Sequence, residues 1–434
     1  MNKKFKETEI GWIPEEWDLK SLGDLSEIKG GKRLTKGHTL VEYKTNHPYI
    51  RVTDLIDFGV NTDNILYLRE ETFEKIRNYT INSNDVYISI VGTVGLVGLI
   101  PKKLNGANLT ENCAKITNIN EIKKEFLAFF LKSRFGQQQI KMLTVGSTQG
   151  KLALSRIKKI KIPIPPLEEQ IEICNLLYSL TNKIEINQKM NQTLEEIGQA
   201  IFKHWFVHFE FPNEEGKPYK SNAGEMVDSE LGEIPKDWEV FSLGDLCSSI
   251  SETYDLKNKD ENFFLNTGDL FDGKVINHQF SDVESLPGQA KKKIRKNDIL
   301  YSEIRPANRR FAFVDFNAEE YVVSTKLMVL RANDNITPEL LFQFLKIHSI
   351  IEYFQGLAES RSGTFPQITF DTIKHIQITL PKNKENLEEL GSIFASILKK
   401  TNQNVSQNKS LIEIRDSLLP KLMSGKIRVP LEEK

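Results

Sequence analysis

Apolar residues follow one spacing as far as Pro165, a second as far as Trp205, and then both spacings again in the same order. The opening stretch contains short runs rich in β-branched and aromatic side chains, such as "VYISIVGTVGLVGLI" (86–100), set between Gly, Asn and Asp turns. That texture predicts the strands of a globular α/β (α+β) domain. Near its end, "EFLAFFLKSRFGQQQIKML" (125–143) has helical apolar spacing and reads as a core helix. After Pro165, apolar or small residues fall at Ile173, Leu177, Leu180, Ile184, Asn187, Asn191, Leu194, Gly198, Ile201 and Trp205. Steps alternating four and three are the seam of a coiled coil.

The second half repeats the design. "AFVDF" (312–316) and "YVVSTKLMVL" (321–330) read as strands, and a second seam runs through Leu390, Phe394, Ile397, Thr401, Asn404, Asn408, Leu411, Arg415, Leu418 and Leu422. Asn187/Asn191 and Asn404/Asn408 stand at matching steps of the two seams. Buried Asn at such positions lowers stability but fixes register and partner. Helices of ~40 residues would be ~60 Å long. With a long domain between them they are expected to pair antiparallel, and Pro420 is expected to bend or end the second.

The repeat is textual as well as periodic. "EIGWIPEEWDLKSLGDL" (9–25) returns as "ELGEIPKDWEVFSLGDL" (230–246), identical at Gly11/Gly232, Pro14/Pro235, Trp17/Trp238 and throughout Ser21–Leu25/Ser242–Leu246. "YIRVTDL" (49–55), "SNDVYIS" (83–89), "EFLAFFLKS" (125–133) and "IKKIKIPIP" (157–165) return in order as "FLNTGDL" (264–270), "KNDILYS" (296–302), "ELLFQFLKI" (339–347) and "IKHIQITLP" (373–381). The period is far beyond that of a solenoid, so one domain-sized unit occurs twice in tandem. The expected layout is a globular domain at 1–163, a long helix at 164–210, a linker at 211–228, a second globular domain at 229–380, a second long helix at 381–425 and a tail at 426–434.

Composition changes this picture little. Of 434 residues, 39% are hydrophobic and 27% charged, which suits packed domains throughout. No apolar run approaches the ~18–20 residues of a membrane span, and the start, "MNKKFKETEIGW", lacks the apolar region of a signal peptide. Three separated cysteines (Cys113, Cys174, Cys247) argue against a disulfide framework and fit a reducing cytoplasm. The net charge of −1 does not announce a nucleic-acid binder, but the basic charge is local. It concentrates in "KKKIRKNDILYSEIRPANRR" (291–310) and "KLALSRIKKIK" (151–161).

Catalytic signatures are missing. "GTVGLVG" (92–98) has GxxG spacing without the Lys-Ser/Thr of a phosphate loop and reads as strand–turn–strand. His204 and His208 stand four apart without the Glu of an HExxH metal site. No metal site is expected, and no paired acid and base emerge. Binding features are better. "KGGKRLTKGHT" (29–39) offers Lys32, Arg33 and Lys36 in what reads as a mobile, glycine-bearing loop suited to phosphates. "GSTQGKLALS" (146–155) offers Gln149 and Lys151, and its counterpart "ESRSGTFPQIT" (359–369) offers Arg361 and Gln367. Arg and Gln side chains pair bidentately with guanine and adenine edges. Arg305, Arg309 and Arg310 complete the candidates of the second copy. The tips differ between copies while the flanks match, as expected of one scaffold carrying two reading heads.

The phrases at 10–25 and 231–246 resemble the start of target recognition domains. "IPIPPLEEQIEI" (162–173) and "IRDSLLPKLMSGKIRV" (414–429) resemble the spacer and C-terminal segments of specificity subunits of type I restriction-modification systems. The resemblance implies two target recognition domains on antiparallel helices, related by an internal pseudo-two-fold repeat. Each would read one half of a bipartite, asymmetric double-stranded DNA sequence. It implies docking of two adenine-methylating modification subunits, which would hold S-adenosylmethionine, and of restriction subunits, which would use ATP and Mg. No cofactor is expected in this chain, which would be non-catalytic, cytoplasmic, and part of prokaryotic phage defence. The second spacer departs from the pattern, beginning "TLPKNKENLEEL" (379–390). A coiled-coil adaptor with protein-binding ends is the alternative reading. A specificity subunit of a methyltransferase-only or Type II-like complex is another.

Overall fold

The repeated "SLGDL" builds the same small device twice. Ser21 and Ser242 each cap a four-residue helix, Leu22–Leu25 and Leu243–Leu246, whose third residue, Asp24 or Asp245, closes a capping box. The backbone N–H groups of Leu22 and Gly23 donate to Ile160 and Lys158, and those of Leu243 and Gly244 to Ile376 and Lys374. Each phrase thereby fastens the start of its domain to its end, where Asp18–Ser21 pairs with Lys161–Ile164 and Trp238–Ser242 with Gln377–Pro381.

The computed structural model describes residues 4–56, 58–146, 150–257, 259–278, 280–361 and 363–430. The chain divides into two compact units: Met1–Ile186 with Gln407–Lys434, and Asn187–Ser406. Unit one holds two four-stranded sheets. The first runs Val97–Leu99, Val86–Ser89, Cys113–Thr117, Glu27–Gly30, and is antiparallel throughout. In the other, Pro48–Ile50 pairs parallel with Ala107–Leu109 between the antiparallel edges Leu66–Tyr67 and Thr80–Ile81. Unit two repeats both. Phe311–Phe313, Ile299–Ser302, Leu327–Ala332 and Cys247–Ile250 form the antiparallel sheet. In the mixed sheet Glu261–Leu265 lies parallel to Tyr321–Ser324, flanked by Phe280–Asp282 and Ala290–Lys293. The textual echoes thus occupy equivalent elements, with "EFLAFFLKS" and "ELLFQFLKI" on matching helices, Lys124–Lys132 and Pro338–Leu345.

The core helix expected over 125–143 is broken at Ser133 into Lys124–Lys132 and Arg134–Leu143. The Ser133 hydroxyl accepts from the Gly136 N–H, so an N-cap restarts the helix in a new direction. Phe126, Phe130 and Leu131 of the first piece are fully buried.

The two long helices are Leu167–Phe202, continued by a π-helical turn at Lys203–Val207, and Lys384–Met423. They pair as an antiparallel coiled coil whose seam residues are those of the heptad pattern. In unit one Ile173, Cys174 and Leu177 share a core with Leu419, Leu422 and Met423, and Asn408 Nδ2 donates to the Ile184 carbonyl at 3.2 Å. In unit two Asn404 Nδ2 donates to Asn191 Oδ1 at 2.8 Å, and the rings of Phe202 and Phe394 lie 6.3 Å apart. Leu177, Ile184, Asn187, Phe394, Asn404 and Asn408 are buried, while Leu180, Asn191, Leu194, Ile397 and Leu411 are half-buried.

Pro420 does not end the second helix, which runs three residues further. The stop is Gly425, in the left-handed region at φ +67°. A Cβ there would lie 2.3 Å from Pro14 Cγ, so the helix end is seated on the Pro-x-x-Trp of the first phrase. The equivalent seat in unit two, Trp238, receives Phe206, Phe209 and Phe211 at ring distances of 5.5, 5.6 and 4.8 Å.

Candidate nucleic-acid interface

In each unit the strand at the middle of the antiparallel sheet turns back on its neighbour, and that turn is braced by a second loop far away in sequence. In unit one the turn follows Val86–Ser89. Ser89 Oγ donates to the Thr93 carbonyl and accepts from the Leu96 N–H. Gly95, at φ +92°, leaves room for Gln137, whose Nε2 donates to its carbonyl at 3.0 Å; a Cβ would sit 2.9 Å from Gln137 Oε1. Val91 bridges to Lys151, Leu152 N–H donates to Ile90, and Lys151 pairs back on Val145. Lys151 and Leu152, from the segment singled out at 146–155, are therefore knitted to the residues just before "GTVG". That phrase is the strand–turn–strand feature its spacing suggested.

Unit two builds the same arrangement with other side chains. The turn after Ile299–Ser302 carries Arg305 and Arg309, both left-handed at φ +44° and +53°. Non-glycine residues held there cost about 1–3 kcal/mol each and concentrate at functional sites. Ile304 bridges to Gln367, Arg305 N–H donates to the Pro366 carbonyl at 3.1 Å, and Ile368 N–H donates to Glu303 at 2.8 Å. Gln355 takes the place of Gln137, its Oε1 accepting from Ala307 N–H at 3.0 Å. Two stretches that look independent in sequence, 303–305 and 366–368, are thus joined in one surface.

The candidate residues divide by what already holds them. Arg305, exposed, has no side-chain partner among the described residues, and neither do Lys36 and Lys151. Arg361 Nη1 donates to Thr372 Oγ1 at 2.8 Å, and Gln367 is half-buried beside Ile304. Arg309 is spent on Asp272, contacted by Nε at 2.9 Å and Nη2 at 2.5 Å. Arg310 Nη1 donates to the carbonyls of Gly268 and Leu270. Both clamp the turn at 268–272. The loop at 29–39 is anchored at its start rather than mobile: Lys32 N–H donates to Leu109, its Nζ lies 5.4 Å from the Tyr79 ring centre, and Arg33 Nε meets Glu111 Oε1 at 2.6 Å. That bond holds the Glu111 carboxyl below its ordinary range against the opposing effect of burial. Gln149 lies outside the described residues.

Sequence reasoning missed several groups. Gln137 and Gln355 brace the turns, and their recurrence after matching helices was the available signal. Burial raises the half-buried Glu303 carboxyl, while Lys292 and Lys326 oppose the rise. Exposed apolar side chains also stand by the loops: Met142 and Val145 in unit one, Phe365 in unit two.

Comparison with known proteins gives this surface a context. The family described as "Type I restriction modification DNA specificity domain" matches residues 14–196 and again 235–414. The type I restriction enzyme HindI specificity subunit of Haemophilus influenzae is 45% identical over 183 residues, 42% of this chain and 40% of that protein, so the match spans less than half of either. The MjaIX specificity subunit of Methanocaldococcus jannaschii is 28% identical over 442 residues, covering 98% of this chain and 97% of that one. Among solved structures, the S subunit of a type I restriction-modification system from M. genitalium superposes with a TM-score of 0.57 at 18% identity, covering 97% of this chain and 99% of that one. That likeness is one of fold.

Proposed function

The chain belongs to the type I restriction modification DNA specificity family, with two copies of its domain, and from that premise we propose how it works. It is a DNA specificity subunit; each domain reads one half of a bipartite, asymmetric duplex sequence. The observation that carries this reading is the braced loop pair, held in both copies by a matching backbone bridge and a helical glutamine on the turn, Gln137 as donor and Gln355 as acceptor, but tipped with different side chains. A common frame with unlike tips is what two different half-sites require.

Lys32, Lys36 and Lys151 would meet phosphates and fix register, carrying no sequence information themselves. Arg305, Arg361 and Gln367 would meet base edges in the second half-site, Arg suiting guanine and Gln adenine. The coiled coil would carry two modification subunits, with restriction subunits joining the full complex. S-adenosylmethionine and the methyl transfer would belong to the modification partner, and ATP and Mg to the restriction partner. With genomic DNA as its target, the complex would work in the cytoplasm.

The test is methylation-sensitive sequencing of host DNA with this gene, without it, and with residues 26–157 exchanged for those of another specificity subunit. The exchange should alter one half of the methylated sequence and leave the other. An unchanged sequence, or no DNA binding by the assembled modification complex at low salt, overturns the reading. Binding should fall steeply with salt, and Lys151→Ala should reduce the slope of that fall by about one.

A further inference from the structure

We propose that the cavity beside Trp238 receives a cationic side chain, arginine or lysine, of a modification subunit. This rests on the specificity-subunit function above and adds a site, with its chemistry, to the docking which that function requires.

The segment expected to be a linker, 211–228, is folded into a wall. The Tyr219 N–H donates to the Phe211 carbonyl at 2.9 Å, the Asn213 N–H to the Lys217 carbonyl at 2.8 Å, and Tyr219 Oη to the Glu225 carbonyl at 3.0 Å. Between that wall and the first turns of the helix Lys384–Met423 lies a cavity of about 860 Å³. Pockets that hold ligands span roughly 300–1,000 Å³. One side of the cavity is a stack of rings, with Phe211 at 4.7 Å from Tyr219 and 4.8 Å from Trp238. Glu214, Glu215, Asp237 and Glu389 surround the stack, and no Lys, Arg or His lines the cavity among the described residues. Glu215 is paired with Lys217 at 2.9 Å. Glu214, Asp237 and Glu389 are exposed and have no side-chain partner among the described residues.

Unit one shows what such a place takes. Glu16 and Trp17 stand in the repeated phrase where Asp237 and Trp238 stand in the second copy, and Glu169 stands on its helix where Asn386 does. There the chain supplies its own cation: the Arg428 guanidinium carbon lies 5.8 Å from the Trp17 ring centre, and its nitrogens bond Glu16 and Glu169. In unit two the Phe211 ring covers Trp238 instead and brings no charge for Asp237. Carboxylates beside aromatic rings attract a cation both by charge and by the ring quadrupole. The same carboxylates repel phosphates, which separates this cavity from the DNA-reading loops. Its chemistry therefore selects a basic protein segment. The helix that bears Glu389 is one of the pair that would carry the modification subunits, so the cavity is continuous with the surface they would use.

The experiment measures assembly of the full chain with its modification subunits by fluorescence titration over a range of salt. Asp237→Asn combined with Glu389→Gln should weaken assembly about 10-fold and flatten its salt dependence, and the two changes to Lys should weaken it further. Once assembled, each variant should bind the same DNA with the affinity of wild type. Equal melting temperatures for the three chains exclude misfolding. A benzophenone photo-crosslinker introduced in place of the exposed, cavity-lining Asn386 should join a modification-subunit peptide that contains Arg or Lys. The proposal is overturned if the neutral pair assembles like wild type at every salt, if it loses DNA affinity without losing assembly, or if the crosslink joins only a second copy of this chain. If wild type does not assemble with modification subunits at all, the specificity-subunit function falls as well, a result distinct from the other three.

Discussion

Replacing Arg428 should destabilise unit one far more than its position near the end of the chain suggests. Its guanidinium holds Glu169, whose side chain is only 1% exposed: Nη2 donates to Oε2 at 2.6 Å and Nε donates to Oε1, while Nη1 reaches Glu16 at 2.5 Å. Trp17 Nε1 donates to the same Glu169 oxygen at 3.0 Å, and the guanidinium carbon lies 5.8 Å from the Trp17 ring centre. Burial works against the Arg428 charge, but its bonds to Glu169 and Glu16 carry it above its ordinary value. Arg428→Ala leaves Glu169 buried with one indole N–H as partner. Breaking a buried pair from one side costs about 3–5 kcal/mol. Taking about 3 kcal/mol and a urea m-value of about 2 kcal/mol/M, the unit-one midpoint falls by about 1.5 M. Tryptophan fluorescence through a urea titration measures this, and Glu169→Gln in the same chain should restore about half, because the stranded charge is gone. A loss below about 0.5 kcal/mol, or no recovery in the double variant, refutes the reasoning. The pH dependence carries a matching sign. The Arg428 bond holds the Glu16 carboxyl below its ordinary range, so its contribution is present above that range and lost as pH falls through the lowered value. The acid limb should therefore be flatter in Arg428→Ala.

Other consequences can be checked singly. Asn404→Ala leaves Asn191 Oδ1 without its 2.8 Å donor inside the seam and should lower stability by about 1–2 kcal/mol, whereas the paired change of Asn191 and Asn404 to Leu should raise the melting temperature; a drop in the double variant counts against the seam geometry. Gly425→Ala should cost about 2 kcal/mol or more, from a left-handed φ and a Cβ pressed on Pro14, measured by the same titration. The thiols of Cys113, Cys174 and Cys247 are buried, and burial pushes each up to about 12, so a thiol reagent at pH 8 should leave the native chain unmodified and label all three in denaturant. Labelling of any one in the native state would contradict its placement.

The period of the seam was legible because a heptad is a local property: every side chain from Ile173 to Trp205 reports it without reference to the rest of the chain. The doubled domain was legible for the same reason, as text repeated in order. What escaped were facts that arise only when distant segments meet. Val91 and Lys151 are neighbours through a bridge, as are Ile304 and Gln367, and no spacing announces either. Arg309 and Arg310 look in sequence like free cations, yet Asp272 and the carbonyls of Gly268 and Leu270 claim them, a fate set by a turn almost forty residues away. Pro420 stands three residues before the end of its helix, but the seat that Pro14 and Trp17 provide for the end at Gly425 could not be read from the proline alone.

That seat bears on the order in which the molecule can be made. Unit two is one continuous stretch, Asn187–Ser406, whereas unit one needs Gln407–Lys434 as well as Met1–Ile186. On a ribosome adding ~5–20 residues per second, Glu169 waits on the order of tens of seconds for Arg428. Until then, Trp17 and the buried carboxylate lack the group that covers and neutralises them. The domain synthesised first is therefore the one completed last, and truncated or stalled chains should expose an unfinished first domain to proteases and chaperones while the second already stands folded.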